Sequence, residues 1–323
     1  QCYGDCYDTK VSSPEPLSQF RPISLCNVLY KIASKVLANR LKLILPVLIS
    51  EEQSAFVPGH LITDKVAFES VHTMKRRKKG KKFSCAIKLD VMKAYDRVEW
   101  LFLRAMLPRL GFGATFVRLI MKCVTSVRYS VRVNGELLPF FTPSRGFRQG
   151  DPVSPYLFLL CAEGLSSLLK FYGNVDRGIR ANFRAPWVNH LLFADDSLIF
   201  IKANRESATR LNQILEIYGD ASRQCVNRSK SAIYFSPNAS DQLRTEIKQV
   251  LGIFVEAFTE RYLGLPTAVG GITSGSFDHI GERCQGKMQG WSVKNLACAG
   301  REVLLKSVDQ ASPTYDMTCI QLT

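Results

Sequence analysis

The sequence predicts an α+β fold, and two patterns predict it. Several stretches space their apolar residues for one face of a helix, and several short apolar runs bounded by turn residues read as strands. At the start, Gln1–Pro16 carries scattered Gly, Pro, Asp and Ser and reads as irregular chain. Val28–Leu48 has helical spacing, with Leu29, Ile32, Val36 and Leu37 on one face, and Pro46 should end or kink it. Ser50–Gly59 is a connector, and Thr63–Met74 returns to helical periodicity. The densest charge run, KRRKKGKK at Lys75–Lys82, reads as a solvated loop that can still touch phosphates.

Phe83–Leu89 reads as a strand with Cys85, Ile87 and Leu89 on one face. Asp90–Asp96 turns the chain, and Val98–Leu110 is a helix ended by Gly111. Ser126–Asn134 alternates as a strand does, and Asn134-Gly135 is a strong hairpin turn. Pro155–Phe171 reads as a helix. Val188–Leu192 and Leu198–Lys202 read as two short strands around Ala194-Asp195-Asp196-Ser197. Arg205–Tyr218 follows as a helix and Ser231–Phe235 as a strand. Toward the C-terminus come YLGLP at Tyr262–Pro266, a Gly-rich loop at Val269–Gly275, and amphipathic helical stretches with Lys and Arg.

Composition narrows the function classes. Of the 323 residues, 46% are hydrophobic, enough for a packed core and unlike a disordered tail. Lys plus Arg number 43 against 28 Asp plus Glu, and the net charge of +15 points to a polyanion, nucleic acid before others. The plainer reading is a basic surface. The ten Cys include no Cys-x-x-Cys, and the four His do not fall at ligand spacing near a Cys pair, so zinc is not expected. Cys85 and Cys161 lie inside apolar runs and read as buried free thiols. That fits a reducing, intracellular setting, nucleus or cytoplasm, rather than secretion. No signal peptide and no apolar run of membrane-spanning length is visible, so no membrane partner is expected. The first residue is Gln rather than Met, which reads as a fragment.

Two acidic sites share similar surroundings. Asp90 ends the apolar strand AIKLD, and Asp195-Asp196 occupies a tight turn between HLLF and SLIF. A carboxylate at the end of a buried strand is costly unless its charge is compensated, and two such sites brought together repel. Divalent cations resolve that cost, and hard oxygen ligands favour magnesium. Two metals roughly 3.5–4 Å apart can activate an attacking hydroxyl and stabilise a leaving oxygen together. The plainer reading makes Asp90 a turn cap and Asp195-Asp196 a hairpin turn, and each motif alone would favour it.

The motifs do not stand alone. LDVMKAYDRVEW, with Asp90 and Tyr95, resembles motif A of reverse transcriptases. GFRQGDPVSP at Gly146–Pro155 resembles motif B, and FADDS at Phe193–Ser197 resembles motif C. Gly219–Phe235, ending in VNRSKSAIYF, resembles motif D, and YLGLP resembles the segment after it. Upstream, FRPISLCNVLYKIASKVLANRL at Phe20–Leu41 and QSAFVPG at Gln53–Gly59 resemble the finger motifs. All occur in family order, roughly from residue 17 to 323, and the wording is similar to LINE-type, non-LTR retrotransposons abundant in plant genomes.

The resemblance implies a right-hand polymerase fold: an antiparallel-sheet palm backed by helices, helical fingers and a partial thumb. The expected divisions are an irregular segment at 1–16, fingers at 17–82, palm at 83–236 with finger insertions, and connection with partial thumb at 237–323. By position, Asp90 and Asp195 would be the main ligands of two magnesium ions, manganese being the substitute ion. Asp196 would lie close by, and the backbone carbonyl of Val91 would be a further ligand. Tyr95 would lie beneath the nucleotide sugar and exclude a 2′-hydroxyl. Gln149 and Gly150 would floor the template and nucleotide site, and Arg21 would reach the triphosphate. Lys230 would protonate the leaving pyrophosphate. The implied partners are an RNA template, a DNA primer and deoxynucleoside triphosphates, with an endonuclease domain on the parent polyprotein.

Some positions depart from the family pattern. Upstream of FRPIS the family usually has an apolar strand ending in Pro-Lys, where this chain reads QCYGDCYDTK. His60 stands where Arg is usual, and Arg223 where Gly is common. The rival reading from these departures is a catalytically inactive nucleic-acid-binding remnant of a decayed retroelement. An intron-type or viral RNA polymerase sharing the palm is a third reading, opposed by the wording of motif B and YLGLP.

Overall fold

A computed structural model describes residues 5–9, 20–24, 26–60, 73–74, 83–133, 136–173, 178–180, 185–256, 261–262, 265–266, 281–282, 284–286, 288 and 298–309. Its centre is a four-stranded antiparallel sheet. The strands are β3 (Ser84–Leu89), β6 (His190–Phe193), β7 (Asp196–Lys202) and β8 (Ala232–Phe235), in the order β6-β7-β3-β8. The period-two pattern of β3 works as the sequence predicts. Cys85, Ile87 and Leu89 join one core with Leu165, Leu169, Leu211 and Ile214, while Ala86 faces a second, smaller core with Leu191, Leu198 and Phe200. The first core is closed by α5 (Ser154–Gly173), α6 (Arg205–Ser222) and α7 (Asp241–Leu251). Apolar residues therefore pack on both faces of the sheet.

A second helical layer surrounds α5. Here α1 (Val28–Leu48), α3 (Trp100–Arg109) and α4 (Ala114–Thr125) bury Leu41, Leu45, Leu103, Leu107 and Ile120 against Leu157–Leu160 of α5. The short α2 (Ala94–Arg97) connects β3 to α3, and Gly111 ends that helix region at φ 89. Cys85 and Cys161 are buried and form no disulfide among the described residues, as the apolar runs around them imply. The remaining described elements are the hairpins β1 (Asp5–Thr9) with β2 (Phe20–Ser24), β4 (Arg132–Val133) with β5 (Glu136–Leu137), and β9 (Arg261–Tyr262) with β10 (Leu265–Pro266). Helix α8 (Cys298–Leu304) runs into a π-helical turn, Leu305–Asp309. None of the described helices is long and apolar enough to cross a membrane.

Four expectations need correction or narrowing. The boundaries of α1 match, but its buried face does not. Leu29, Ile32 and Val36 are exposed at 78%, 58% and 48%, and of the expected face only Leu37 is buried. The buried stripe is Ser34, Leu37, Ala38, Leu41 and Leu45. The hydroxyls of Tyr30 and Ser34 both bond to the Asp151 carboxylate, which sets the rotation of the helix. Small side chains at Ser34 and Ala38 then allow close packing. Pro46 lies inside α1 and the helix ends two residues later, capped at Ile49.

The N-terminal segment is not wholly irregular. Asp5–Thr9 pairs antiparallel with Phe20–Ser24 in the register Asp5↔Ser24 to Thr9↔Phe20. A ladder is built from backbone N–H and C=O groups, so it does not require an apolar sequence. The register pairs Asp8 with Arg21 along the backbone. The expected boundary at 16/17 falls inside this hairpin, between its two strands. Downstream, the Ser126–Asn134 strand is shorter than its alternation suggests. Arg132 pairs with Leu137 but Tyr129 bridges Phe141, a shift of one residue. Pro139 lies in the shifted arm and has no N–H to donate, which is where a ladder admits a bulge. The Asn134-Gly135 turn, Lys75–Lys82, Val269–Gly275 and all of Thr63–Met74 except its last two residues lie outside the described residues.

Arg223, standing where the family commonly has Gly, caps α6 at φ 60 and ψ 14. That is glycine's left-handed region, and the Arg223 N–H there bonds the Gly219 carbonyl at 2.7 Å. Replacing Arg223 by Gly should stabilise the chain by about 1 kcal/mol through relief of left-handed strain. A higher urea midpoint with unchanged slope is the expected result, and a lower midpoint would show that the arginine side chain outweighs the strain.

Candidate active site

The open end of the sheet is organised by one turn. Strands β6 and β7 end on the pair Phe193↔Asp196, so Ala194-Asp195 is a two-residue hairpin loop. Ala194 has φ 53, a left-handed value at the first central position, where glycine is the usual occupant. Leu191, Leu192, Leu198 and Ile199 are buried, which fixes the turn at the end of the sheet. Strand β3 runs antiparallel to β7 and its last pair is Leu89↔Ser197. The next residue on each strand is an aspartate, so the register sets Asp90 beside Asp196.

Of the three carboxylates, Asp196 feels the other two. Asp195 is exposed, and Asp90 and Asp196 are half-buried. Burial pushes the Asp196 carboxyl above the usual range, the charges of Asp195 and Asp90 push it further, and Lys88 opposes them. Among the described residues, no three His, Cys, Asp or Glu side chains gather closely enough to cage an ion alone. Magnesium does not require such a cage. It keeps several waters and binds through one or two carboxylates plus substrate phosphates, so this donor set fits it.

Backbone bonds from distant segments hold the Asp90 strand end. The Asp90 N–H donates to Ser231 Oγ at 3.1 Å, and its carbonyl accepts from the Asn227 N–H at 2.8 Å. Met92 N–H donates to the Cys225 carbonyl at 2.9 Å, and Val91 bridges Val226. Successive residues of a strand point their backbone groups to opposite sides. With Asp90 turned toward Asn227, the Val91 carbonyl is turned toward the β7 side, where the aspartate hairpin lies. Ser231 is fully buried. The sequence marks it only as the start of a strand, because nothing local announces a bond 141 residues back.

Tyr95 lies on α2, half-buried, with its ring stacked on Phe158 of α5 at 4.8 Å and 10°. Its hydroxyl is pushed up to about 12, first by burial and then by the charge of Asp195. The Tyr95 carbonyl accepts from Phe147 N–H at 2.8 Å, which ties α2 to the GFRQGDP loop. Gly146 in that loop has φ 86, and a Cβ there would meet the Asp96 carbonyl oxygen at 2.7 Å. Gly150 is exposed with φ 96, and the Gln149 carbonyl accepts from Ser24 N–H at 2.9 Å.

Two residues of this loop were given no role by the sequence. Arg148 and Asp151 are 8% and 4% exposed and form a salt bridge at 3.0 Å. The Arg148 guanidinium lies 4.0 Å from the Tyr30 ring centre, and Asp151 takes the Tyr30 hydroxyl at 2.7 Å. This buried cluster brackets Gln149-Gly150 and fixes it to α1. The signal available in sequence was Arg and Asp three apart around a glycine.

The other predicted residues are less tightly gathered. Lys230 is exposed in the turn between Asn227 and Ser231, both bonded to Asp90. Arg21 sits at a described backbone position of β2, and its side chain lies outside the described residues. His60, the usual arginine position, places Nδ1 2.7 Å from the Gln53 carbonyl oxygen. Gln53 is 1% exposed, and its Oε1 accepts from the Ala194 N–H at 3.0 Å. The sequence placed Gln53 in a finger motif and did not foresee this contact.

Several known proteins are similar to this chain. The chain is 28% identical to the uncharacterized 149 kDa protein of transposon TX1 from Xenopus laevis, over 95% of this chain and 23% of that protein. It is 29% identical to the retrovirus-related Pol polyprotein of element R2DM from Drosophila melanogaster, over 61% of this chain and 18% of that one. A shorter stretch, 20% of this chain, is 54% identical to an uncharacterized mitochondrial protein of Arabidopsis thaliana and covers 55% of it. This chain thus spans under a quarter of the two retroelement proteins. Among solved structures, telomerase from Candida tropicalis with a fragment of telomeric RNA superposes with TM-score 0.54 at 11% identity, over 99% of this chain and 55% of that one. That likeness shows a shared right-hand polymerase fold. The sequence profile of the reverse transcriptase (RNA-dependent DNA polymerase) family matches residues 10–267, and with motifs A to D in place on that fold the chain belongs to the reverse transcriptase family, in a domain similar to those of non-LTR retrotransposons.

Proposed function

We propose that this chain is an RNA-templated DNA polymerase core that extends a primer 3′-hydroxyl with deoxynucleoside triphosphates. One observation carries the reading: strand register sets Asp90 beside Asp195-Asp196 at the open end of a buried sheet. A fold has no structural reason to collect three repelling carboxylates there, whereas two-metal nucleotidyl transfer needs them. Asp90, Asp195 and Asp196, with the Val91 carbonyl, are the residues that would hold two magnesium ions. Held by these residues, two ions would supply the charge that eases deprotonation of a primer hydroxyl and departure of pyrophosphate.

The remaining roles follow from position. Tyr95 presents its ring beside Asp195 and excludes a 2′-hydroxyl by contact, with Phe158 fixing the ring from behind. Gly150 lets template or nucleotide approach the backbone closely, and Gln149 holds that floor through Ser24. Arg21 binds the triphosphate and Lys230 supplies a proton to pyrophosphate. Fingers would run to residue 82, starting from the β1–β2 hairpin, with the palm at 83–236 and connection and thumb beyond it. The parent polyprotein proposed here carries an endonuclease domain, and the greater length of the retroelement relatives supports the existence of a longer parent chain.

Three outcomes test this reading. Asp90→Asn or Asp195→Asn keeps shape but removes charge, and should lower primer extension on poly(rA)/oligo(dT) by about 10³-fold or more with template affinity retained. Near wild-type extension by either variant would sink the two-metal assignment. Tyr95→Ala should admit ribonucleotides with little loss of deoxynucleotide use, while Tyr95→Phe keeps selectivity, because a gate works by clash. Unchanged selectivity in a competition assay would leave Tyr95 a packing residue. RNA affinity should fall steeply with salt, each neutralised phosphate adding roughly −0.7 to −0.9 to the log–log slope. A flat response would mean that the basic residues do not meet phosphate.

A further inference from the structure

The finger motif QSAFVPG is a sequence signature that the polymerase reading leaves without a role, and the structure sets its Gln53 against the aspartate turn. The chain at Glu52–Ser54 runs alongside β6 on its outer edge. Leu192 N–H donates to the Glu52 carbonyl at 2.8 Å, Ser54 N–H donates to the Leu192 carbonyl at 3.1 Å, and Gln53 bridges Leu192 in parallel. This strap enters the palm from the end of α1, where the Ser50 N–H donates to the Glu163 carboxylate of α5 at 2.9 Å. It leaves toward His60, whose Nδ1 lies 2.7 Å from the Gln53 carbonyl oxygen.

From this strap Gln53 reaches the hairpin loop. Its Oε1 accepts two backbone N–H groups, Ala194 at 3.0 Å and Ala55 at 3.1 Å. The plain alternative is a core glutamine that satisfies itself. The side chain is 1% exposed, yet its Nε2 has no hydrogen-bond partner among the described residues. A buried amide with one end unpaired is a poor packing choice, since an apolar side chain of that length would avoid the cost. What an apolar chain could not supply is the acceptor for Ala194. That residue is held at φ 53 without being glycine, and its neighbour is Asp195. A non-glycine residue persists in this conformation only where its surroundings over-determine it.

We infer that Gln53 is a positioning residue for the catalytic turn: its amide oxygen fixes Ala194, and thereby aims the Asp195 carboxylate for metal. The inference rests on the polymerase reading for its consequence but not for its geometry. It also joins two regions that the sequence keeps 141 residues apart, so a finger segment sets the metal site of the palm.

The test compares Gln53→Met with Ser50→Ala in the full chain. Met keeps length and removes the acceptor. Ser50→Ala removes the hydroxyl contact to Glu163 at the start of the same strap and leaves Gln53 in place. Hydrogen exchange of the Phe193–Ser197 segment reads the turn, Mn2+ titration by electron paramagnetic resonance reads the ion site, and primer extension reads activity. For Gln53→Met, exchange of the Ala194 amide should be about tenfold faster, as for loss of one net hydrogen bond, and Mn2+ about tenfold weaker. Ser50→Ala should show neither change. If Gln53→Met does not fold alone, the pair is repeated with Ala194→Gly, where glycine takes the left-handed turn without strain. There the effect of Gln53→Met should shrink, and additive losses would overturn the inference. Unchanged exchange and Mn2+ affinity, or equal losses in Ser50→Ala, would overturn it as well. A wild-type chain that extends no primer and binds no Mn2+ would instead count against the polymerase reading, while the exchange comparison still judges the strap.

Discussion

Like charges gathered at the rim of a covered sheet are the constraint on which the rest of this structure depends. Asp90, Asp195 and Asp196 repel one another, and burial raises the cost of charging Asp196 further. Left to itself such an edge would splay. It is held by ties that use backbone rather than carboxylate groups: Ser231 and Asn227 on Asp90, Cys225 on Met92, and the pair Phe193↔Asp196 across the hairpin. None of these ties uses a carboxylate oxygen of Asp90, Asp195 or Asp196. Sheet burial on both faces supplies the rigidity, because β3 packs Ile87 and Leu89 on one side and Ala86 on the other.

Backbone strain concentrates around the same rim. Among the described residues, positive φ at non-glycine positions occurs at Phe56, Lys93, Ala194 and Arg223. Lys93 lies three residues past Asp90, Ala194 directly precedes Asp195, and Phe56 lies three residues past Gln53. Arg223 begins the segment that bonds to Asp90 and Met92. Each is an unfavourable conformation that the surrounding packing must enforce. A fold selected for stability alone would place glycine there, as it does at Gly146, where a Cβ would strike the Asp96 carbonyl oxygen.

What the sequence disclosed follows from the range of the physics involved. Period-two burial is local, so β3 and its inward residues Cys85, Ile87 and Leu89 were legible. The aspartates and motif order were legible because chemistry restricts those residue types. The face of α1 was not, since that helix carries apolar residues around much of its circumference and periodicity cannot choose between stripes. A polar partner made the choice: Asp151, 117 residues from Ser34. The strand at Asp5–Thr9 escaped notice for a related reason, because its stability lies in backbone pairing with Phe20–Ser24. Gln53 and Ser231 were invisible as site residues, since each acts through one bond to a turn or strand end far along the chain.

The same long-range ties decide how the site is kept in register with whatever lies on it. Helix α1 is packed into the core of α3, α4 and α5 through Leu41 and Leu45, so it moves with the palm. Arg148 and Asp151 pin the Gln149-Gly150 turn to that helix, Phe147 pins it to Tyr95, and Gln53 joins the end of α1 to the aspartate turn. Gln149-Gly150, Tyr95 and the carboxylates are thus mounted on one packed unit rather than on separate loops. In-line transfer depends on placing the reacting groups within a few tenths of an ångström before reaction. Under the proposed reaction, a unit assembled this way would meet that need through folding rather than through motion of separate loops.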